Sequence, residues 1–163
     1  MAEGKSSASG LIRLVEIDVR ACAALEWSWR VDRAQASVDL TDKAKEDVAA
    51  ALFLLFGDPG FLTMPEKVPT LRYVWTGGPQ AAGAVIDSPY LPGTVRSLVL
   101  RDASAPRARW VTERRDVAAD FKMAFPGKTP ERIHALALFT DNDQTREPVI
   151  AYYGDVRISC RRS

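Results

Sequence analysis

The chain has 163 residues, of which 47% are hydrophobic and 26% are charged, and its 22 basic and 21 acidic residues give a formal net charge of +1. This composition is typical of one globular domain with a hydrophobic core. The balanced charge gives no field that would attract nucleic acid or an anionic membrane. The longest apolar run, residues 48–56, is too short to span a bilayer. We therefore expect no nucleic-acid partner and no membrane span; the sequence carries no indication of oligomeric state.

The chain begins with two parts that differ in composition. Residues 1–10 are small and polar, so we predict a flexible N-terminal segment, followed by a single β-sandwich domain over residues 11–163. Residues 11–18 and 25–31 then have strand patterns. In the second of these, strict alternation places one set of apolar side chains on a single face: Leu25, Trp27, Trp29 and Val31. Two tryptophans on one strand face favour the hydrophobic core over a ligand platform.

The rest of the chain carries further strand patterns and one helix pattern. The strand patterns cover residues 48–56, 71–75, 94–101, 109–114, 132–139 and 149–159. The helix pattern, residues 116–125, has Asp116 as a suitable N-cap and Pro126 at its end. About eight strands at regular spacing predict a mainly β protein, namely an antiparallel β-sandwich of jelly-roll type with one short helix. A βαβ sheet is excluded because the pattern lacks crossover helices.

The two cysteines, Cys22 and Cys160, lie near opposite ends of the chain. A disulfide between them would tie the first and last strands together and would imply an oxidising compartment. Two cysteines alone are too few to indicate a disulfide framework, however, and the sequence does not show whether they lie within the distance that a bridge requires. We therefore expect two unrelated thiols, with the disulfide as the alternative.

The sequence gives little support for catalysis by histidine or cysteine. His134 is the only histidine and sits in the apolar run 133–139. This excludes a His-rich zinc or copper site and argues against a Ser-His-Asp triad. We interpret His134 as a hydrogen-bonded strand residue. Neither cysteine has a nearby histidine partner, so a thiolate nucleophile is unsupported. We predict no cofactor.

A carboxylate-rich turn follows the run 133–139. Asp141, Asp143, Thr145 and Glu147 fall at alternate positions, which resembles the opening of a calcium loop because hard oxygen ligands suit calcium. An EF-hand is excluded, since Arg146 stands where its loop needs glycine. We favour an Asx-turn, in which Asp and Asn side chains bond local backbone amides, and so predict no metal ligand. A looser calcium site is the alternative.

A second charged group, Glu113, Arg115, Asp116 and Asp120, lies at the start of the predicted helix. Asp116 and Asp120 are one helical turn apart, so both side chains can project from the same side. One interpretation is a carboxylate pair for acid–base chemistry. The interpretation that we favour is an N-cap combined with an arginine–carboxylate lock between the helix and the sheet.

Several short motifs occur in a fixed order along the chain. They are Leu25-Glu26-Trp27-Ser28-Trp29-Arg30-Val31, Glu46-Asp47, Tyr73-Val74-Trp75, Ser88-Pro89-Tyr90, Trp110-x-x-Glu113-x-Arg115-Asp116-Val117-x-x-Asp120-Phe121-x-x-x-Phe125, Thr140-Asp141-x-Asp143-x-Thr145 and Ala151-Tyr152-Tyr153-Gly154-Asp155-Val156. Together they resemble the bacterial domain-of-unknown-function family numbered 3047 over residues 8–159. The chain departs from that family at Ala51, where the family often carries an arginine. Members usually carry a signal peptide, so the resemblance implies a periplasmic or secreted protein; it implies no reaction.

Two hypotheses of function follow. The first is a non-catalytic module that binds a glycan-like or small-molecule ligand, because jelly-roll sandwiches often serve that role. Its stacking and hydrogen-bonding groups would be Trp75, Tyr90, Trp110, Arg115, Asp120, Asp141, Asp143, Tyr152 and Tyr153. The alternative is a carboxylate-based hydrolase or lyase acting on a polysaccharide, with catalytic carboxylates among Asp116, Asp120, Asp141 and Asp143. A purely structural or partner-binding domain is the third reading.

Overall fold

The computed structural model describes residues 1–4, 6–56, 68–130 and 132–161. Within these residues the chain forms two β-sheets and one short helix, which confirms the predicted mainly β fold class. In chain order the elements are β1 (Ala2–Gly4), β2 (Ala8–Asp18), β3 (Ala24–Arg33), β4 (Ala50–Leu55), β5 (Thr70–Trp75), β6 (Val85–Asp87), β7 (Val95–Arg101), β8 (Val111–Asp116), α1 (Val117–Ala124), β9 (Arg132–Asp141) and β10 (Val149–Ser159).

The two sheets differ in size, and one contains a parallel pair. The strand order is β1-β10-β3-β8 in the four-stranded sheet and β2-β9-β4-β5-β7-β6 in the six-stranded sheet. All neighbouring strands pair antiparallel except β5 and β7, which departs from the fully antiparallel expectation. The reason is the chain path: after β5 the chain passes the position of β7 and forms β6 at the sheet edge, and β7 then returns beside β5. The jelly-roll connectivity stays a prediction.

The main core lies between the sheets and is rich in aromatic rings. Alternation in β3 buries Trp27 and Trp29, as the sequence predicts. Trp27 packs on Tyr73 of β5 with ring centroids 5.0 Å apart, and Trp29 packs on Trp75 of the same strand at 5.8 Å. These contacts join the central strands of the two sheets, and each fully buried aromatic side chain contributes a few kcal/mol to stability.

The six-stranded sheet is covered on its other face as well. A second, smaller cluster forms there from Leu40, Val48, Ala51, Val74 and Val99. Every residue of β5 is consequently buried. The charged residue of β5, Arg72, is buried on this second face through an ion pair with Glu46 and a hydrogen bond that it donates to the hydroxyl of Ser97.

Cys22 and Cys160 form a disulfide, so the expectation of two unrelated thiols is wrong. The pairing of β3 with β10 places Ala24 opposite Ser159, which brings the residues just before β3 and just after β10 to the same place. This proximity arises from strand register over a sequence separation of 138 residues, which no local pattern encodes. Disulfides form and persist in oxidising compartments.

The N-terminal segment carries more regular structure than its composition indicates. Strand β1 pairs with β10 and strand β2 pairs with β9, so the chain crosses from one sheet to the other within residues 1–10. The mobility of this segment stays a prediction. None of the helices in the described ranges has the length and apolar content needed to cross a membrane.

Candidate functional site

The outward face of the four-stranded sheet carries a pair of aromatic rings, of which one is exposed and the other half-buried. Trp110, just before β8, is 53% exposed, and Tyr152 lies in β10. Their ring centroids are 6.4 Å apart and the rings are inclined at 61°. The guanidinium of Arg30 lies 5.2 Å from the centre of the Tyr152 ring. This cation–π contact supports the tyrosine ring on the sheet and leaves the tryptophan available to solvent.

A polar groove of about 360 Å³ runs beside Trp110. The polar groups come from the positions of β3, β8 and β10 that alternate with the buried ones, because successive side chains of a strand point to opposite faces. The register places Ser28 opposite Thr112 and Glu26 opposite both Arg114 and Arg157. The residues that line the groove are Glu26, Trp27, Ser28, Trp110, Thr112, Gly154, Asp155 and Arg157.

A β-bulge in β10 shapes one wall of this groove. The register with β3 shifts between Tyr153 and Val156, so Gly154 and Asp155 occupy the bulge. A Cβ atom on Gly154 would lie only 2.1 Å from the Oγ of Ser28. Glycine therefore gives the serine hydroxyl its room beside the bulge. Bulges of this kind often re-aim side chains next to binding sites.

The predicted residues Arg115 and Asp120 form a structural lock between β8 and α1, in which the carboxylate is buried and the arginine side chain is 33% exposed. Arg115 donates to Asp120 through two hydrogen bonds of 2.8 and 2.6 Å, and the Tyr73 hydroxyl donates to the same carboxylate at 2.8 Å. Asp120 is 4% exposed. Burial and the adjacent Asp120 charge raise the pKa of Tyr73 well above its ordinary value. Asp116 accepts a hydrogen bond from the amide of Ala119, so the predicted N-cap is present as well.

The carboxylate turn after β9 is built around an aspartate from another segment. Buried Asp47 accepts hydrogen bonds from the backbone amides of Gln144 and Thr145 at 3.3 and 2.7 Å. Asp141 accepts one from the amide of Asp143 at 3.2 Å, which is the local backbone contact expected of an Asx-turn. Oxygen atoms of Asp47, Asp141 and Asp143 lie within 4.8 Å of one another. These are the residues that could hold a hard divalent cation.

The crowding of these carboxylates affects their protonation. Burial raises the pKa of Asp141 to about 7, and the neighbouring charges of Asp47 and Asp143 act in the same direction. Partial desolvation, then the charges of Glu46, Asp143, Asp141 and Asp47, likewise raise the pKa of Tyr90. The structure therefore brings Tyr90, Asp141 and Asp143 into one acidic region, away from the exposed tryptophan.

Replacing Asp141 with asparagine is expected to weaken the pH dependence of stability. The folded chain holds this proton at a pKa of about 7, above the ordinary 3.8. The unfolded chain therefore binds fewer protons between about pH 4 and pH 7, and the free energy of unfolding of the wild type falls as pH rises through that window. At about pH 8 the variant should be more stable by about 1–2 kcal/mol.

Urea denaturation at about pH 3 and pH 8, with a chelator present, measures this effect. Near pH 3, below both pKa values, the carboxyl is mostly protonated in both states, and the two proteins should differ little. Parallel stability profiles for wild type and Asp141→Asn across this range would contradict the raised pKa.

The remaining predicted residues take separate places. Trp75 is fully buried in the core and offers no ring to a ligand. Tyr153 is turned inward: its hydroxyl donates to the carbonyl of Phe139 at 2.6 Å and accepts from the amide of Ala51 at 3.2 Å. Tyr90 is 49% exposed, and its hydroxyl donates to the carbonyl of Lys43 at 2.6 Å. Of the predicted stacking residues, Trp110 and Tyr152 therefore share one surface and the others do not.

Several groove residues were not predicted from the sequence. Ser28, Thr112 and Glu26 occupy the polar positions of alternating strands, so the period-two pattern that identified the core face also marked the opposite face. The bulge at Gly154 and Asp155 had no comparable signal. His134, interpreted as a hydrogen-bonded strand residue, has its Nδ1 atom 2.9 Å from the carboxylate of Glu16.

The fold and this surface define a two-sheet β protein with an exposed tryptophan, packed beside a half-buried tyrosine, next to a polar groove. The sequence model of the family described as "Protein of unknown function (DUF3047)" matches residues 1–157. The chain belongs to this family, as the motifs indicated. Neither the curated proteins nor the solved structures contain a significant match to it.

Proposed function

We propose that this protein is a non-catalytic glycan-binding module of the periplasm or the extracellular space. The observation that carries the proposal is the half-exposed ring of Trp110, held beside Tyr152 above a polar groove of about 360 Å³. An indole that remains exposed on a sheet face offers a flat apolar surface, which one face of a sugar ring can cover.

The groove supplies the second half of sugar recognition. The hydroxyl groups of Ser28 and Thr112 can donate or accept hydrogen bonds, and Glu26 and Asp155 can accept them from sugar hydroxyls. Flat stacking combined with a few directed polar groups is the usual composition of a small-ligand site. Because the side chains come from paired strands, their relative positions are fixed before a ligand arrives, which reduces the entropy lost on binding.

The proposed location rests on two supports. The disulfide between Cys22 and Cys160 favours an oxidising compartment over the cytosol. The family to which the chain belongs is also expected to act outside the cytoplasm, since its members usually carry a signal peptide. Fractionation of the native host followed by immunodetection tests the location, and recovery of the protein only with cytosolic markers would contradict it.

Replacing Trp110 with alanine is expected to remove most of the glycan affinity. An aromatic ring that the ligand covers on binding usually carries a large share of the binding energy. A glycan panel screened by thermal unfolding should first identify a ligand. At 100 times its Kd, such a ligand should raise Tm by roughly 5–10 °C. The Trp110→Ala variant should then show at least about a tenfold weaker Kd by calorimetry.

Tyr90→Ala is the matched control, because Tyr90 is exposed to a similar extent but lies in the acidic region. It should bind like the wild type. If Tyr90→Ala loses affinity while Trp110→Ala keeps it, the ligand binds at the acidic region. If no glycan changes the stability of the wild type, the proposed function is wrong.

A second function, polysaccharide hydrolysis or lysis, is favoured by one feature of the acidic region. Asp141 holds a proton near neutral pH beside the exposed carboxylate of Asp143, and two carboxyl groups of different pKa can divide acid and base roles. The test is release of new sugar ends from each panel member. Turnover that disappears in Asp143→Asn but persists in Trp110→Ala would establish the enzyme and overturn the non-catalytic assignment.

A further inference from the structure

The charged side chains along the groove are already neutralised by one another. Glu26 lies 2.6 Å from Arg114 on the neighbouring strand β8. Asp155, in the bulge of β10, lies 3.0 Å from Arg157. Among the described residues, each carboxylate that lines the groove thus has an arginine partner, and the groove with these partners carries no net charge.

A further arginine–carboxylate pair lies against the aromatic pair. Arg30, which lies over the Tyr152 ring, is bound to Asp32 through hydrogen bonds of 2.6 and 2.8 Å. A bidentate pair of this kind fixes the guanidinium plane and uses the donors that an anion would otherwise take. Three ion pairs around the exposed tryptophan therefore join three arginines to three carboxylates.

Such a surface treats neutral and anionic sugars differently. A sugar hydroxyl can accept a hydrogen bond from a paired arginine, or donate one to a paired carboxylate, while the ion pair stays intact. A uronate, sulfate or phosphate group would compete with Asp155 or Glu26 for its arginine, and it would be repelled by that carboxylate.

We infer that the ligand of the Trp110 groove is a neutral glycan, in which sugar rings without acidic substituents stack on Trp110 and bond to the intact ion pairs. The inference rests on the proposed glycan-binding function and specifies its substrate class. Binding should depend little on ionic strength, because no net charge is neutralised when the ligand binds.

Matched pairs of hexasaccharides test the inference. Each pair has one backbone and linkage, with neutral hexoses in one member and the corresponding uronic acids in the other. Calorimetry on the wild type should give at least about tenfold tighter binding of the neutral member. Its Kd should change by less than about twofold between low and high sodium chloride.

The substitution Asp155→Asn is expected to change the ligand specificity of the groove. The substitution removes the carboxylate beside Arg157 and leaves that arginine free to accept a uronate. The affinity for the uronic acid member should increase at least about threefold, while that for the neutral member should not increase, because the substitution breaks one of the ion pairs to which a neutral sugar bonds. Glu16→Gln is the control, since it removes a carboxylate 3.1 Å from Arg132 on the six-stranded sheet, outside the groove; neither affinity should change.

The outcomes separate this inference from the proposed function. Tighter binding of uronic acid members by the wild type, weakened by salt, would overturn the neutral-glycan inference and leave glycan binding in place. An Asp155→Asn variant that gains no affinity for the uronic acid member would overturn the role given to the ion pair. A wild type that binds neither member of any pair would overturn the proposed function and the inference together.

Discussion

Asp120→Ala is expected to lower the free energy of unfolding by about 3 kcal/mol. The substitution leaves the guanidinium of Arg115 and the hydroxyl of Tyr73 without the carboxylate that both now contact. The loss is costly because the fully buried Tyr73 hydroxyl would be left without an acceptor and the guanidinium, which is only 33% exposed, without its counter-charge. Urea denaturation followed by fluorescence measures the change.

Asp155→Ala provides the matched comparison for this prediction. It also removes an aspartate from an arginine pair, but the Asp155 side chain is 81% exposed. Solvent screens such a pair, so its loss should have a much smaller effect on stability. Equal effects of the two substitutions would contradict the assignment of Arg115 and Asp120 as a buried lock between the helix and the sheet.

Loss of the disulfide is the second large effect that we expect. The double variant Cys22→Ser, Cys160→Ser should be less stable than the wild type by about 2–5 kcal/mol, because the bridge closes a very long loop and restricts the unfolded chain. A reductant should lower the stability of the wild type by a similar amount and should leave the double variant unchanged. Two titratable thiols in the unreduced, unfolded wild type would contradict the bridge.

The sequence predicted most clearly those elements whose pattern is local. The alternation around Trp27 and Trp29 identified both the strand and its buried face. Asp116 identified the start of the helix, and β10 runs from Val149 to Ser159 as predicted. The short strands β1 and β6, with three residues each, were missed because so few residues show no period.

The placement of aromatic residues required the tertiary structure. Trp75 and Trp110 both lie within predicted strands, yet Trp75 belongs to a central strand covered on both faces, whereas Trp110 precedes an edge strand. Tyr152 and Tyr153 are neighbours that point to opposite faces, as the pleat of a strand requires. Which of the two faces lies outward depends on sheet packing, and this is why the sequence could not show that Trp110 and Tyr152 share a surface while Tyr153 faces inward.

The carboxylates of the turn after β9 also show that local sequence predicts only local contacts. Asp141 and Asp143 were predicted to interact within their own turn, and the amide of Asp143 does bond to Asp141. The contribution of Asp47 could not be predicted, because it reaches Thr145 across a separation of 98 residues. The raised pKa of Asp141 depends on its burial and on the nearby charge of Asp47, so no pattern confined to the turn could have indicated it.

The most direct test of the account uses the four tryptophans of the chain as reporters. Three of them, Trp27, Trp29 and Trp75, are fully buried, and Trp110 is exposed. In a titration with a neutral hexasaccharide followed by NMR, the indole N–H signal of Trp110, assigned with Trp110→Phe, should shift in a saturable manner while the other three stay in place. Saturable binding that leaves the Trp110 signal unchanged would contradict the proposed site.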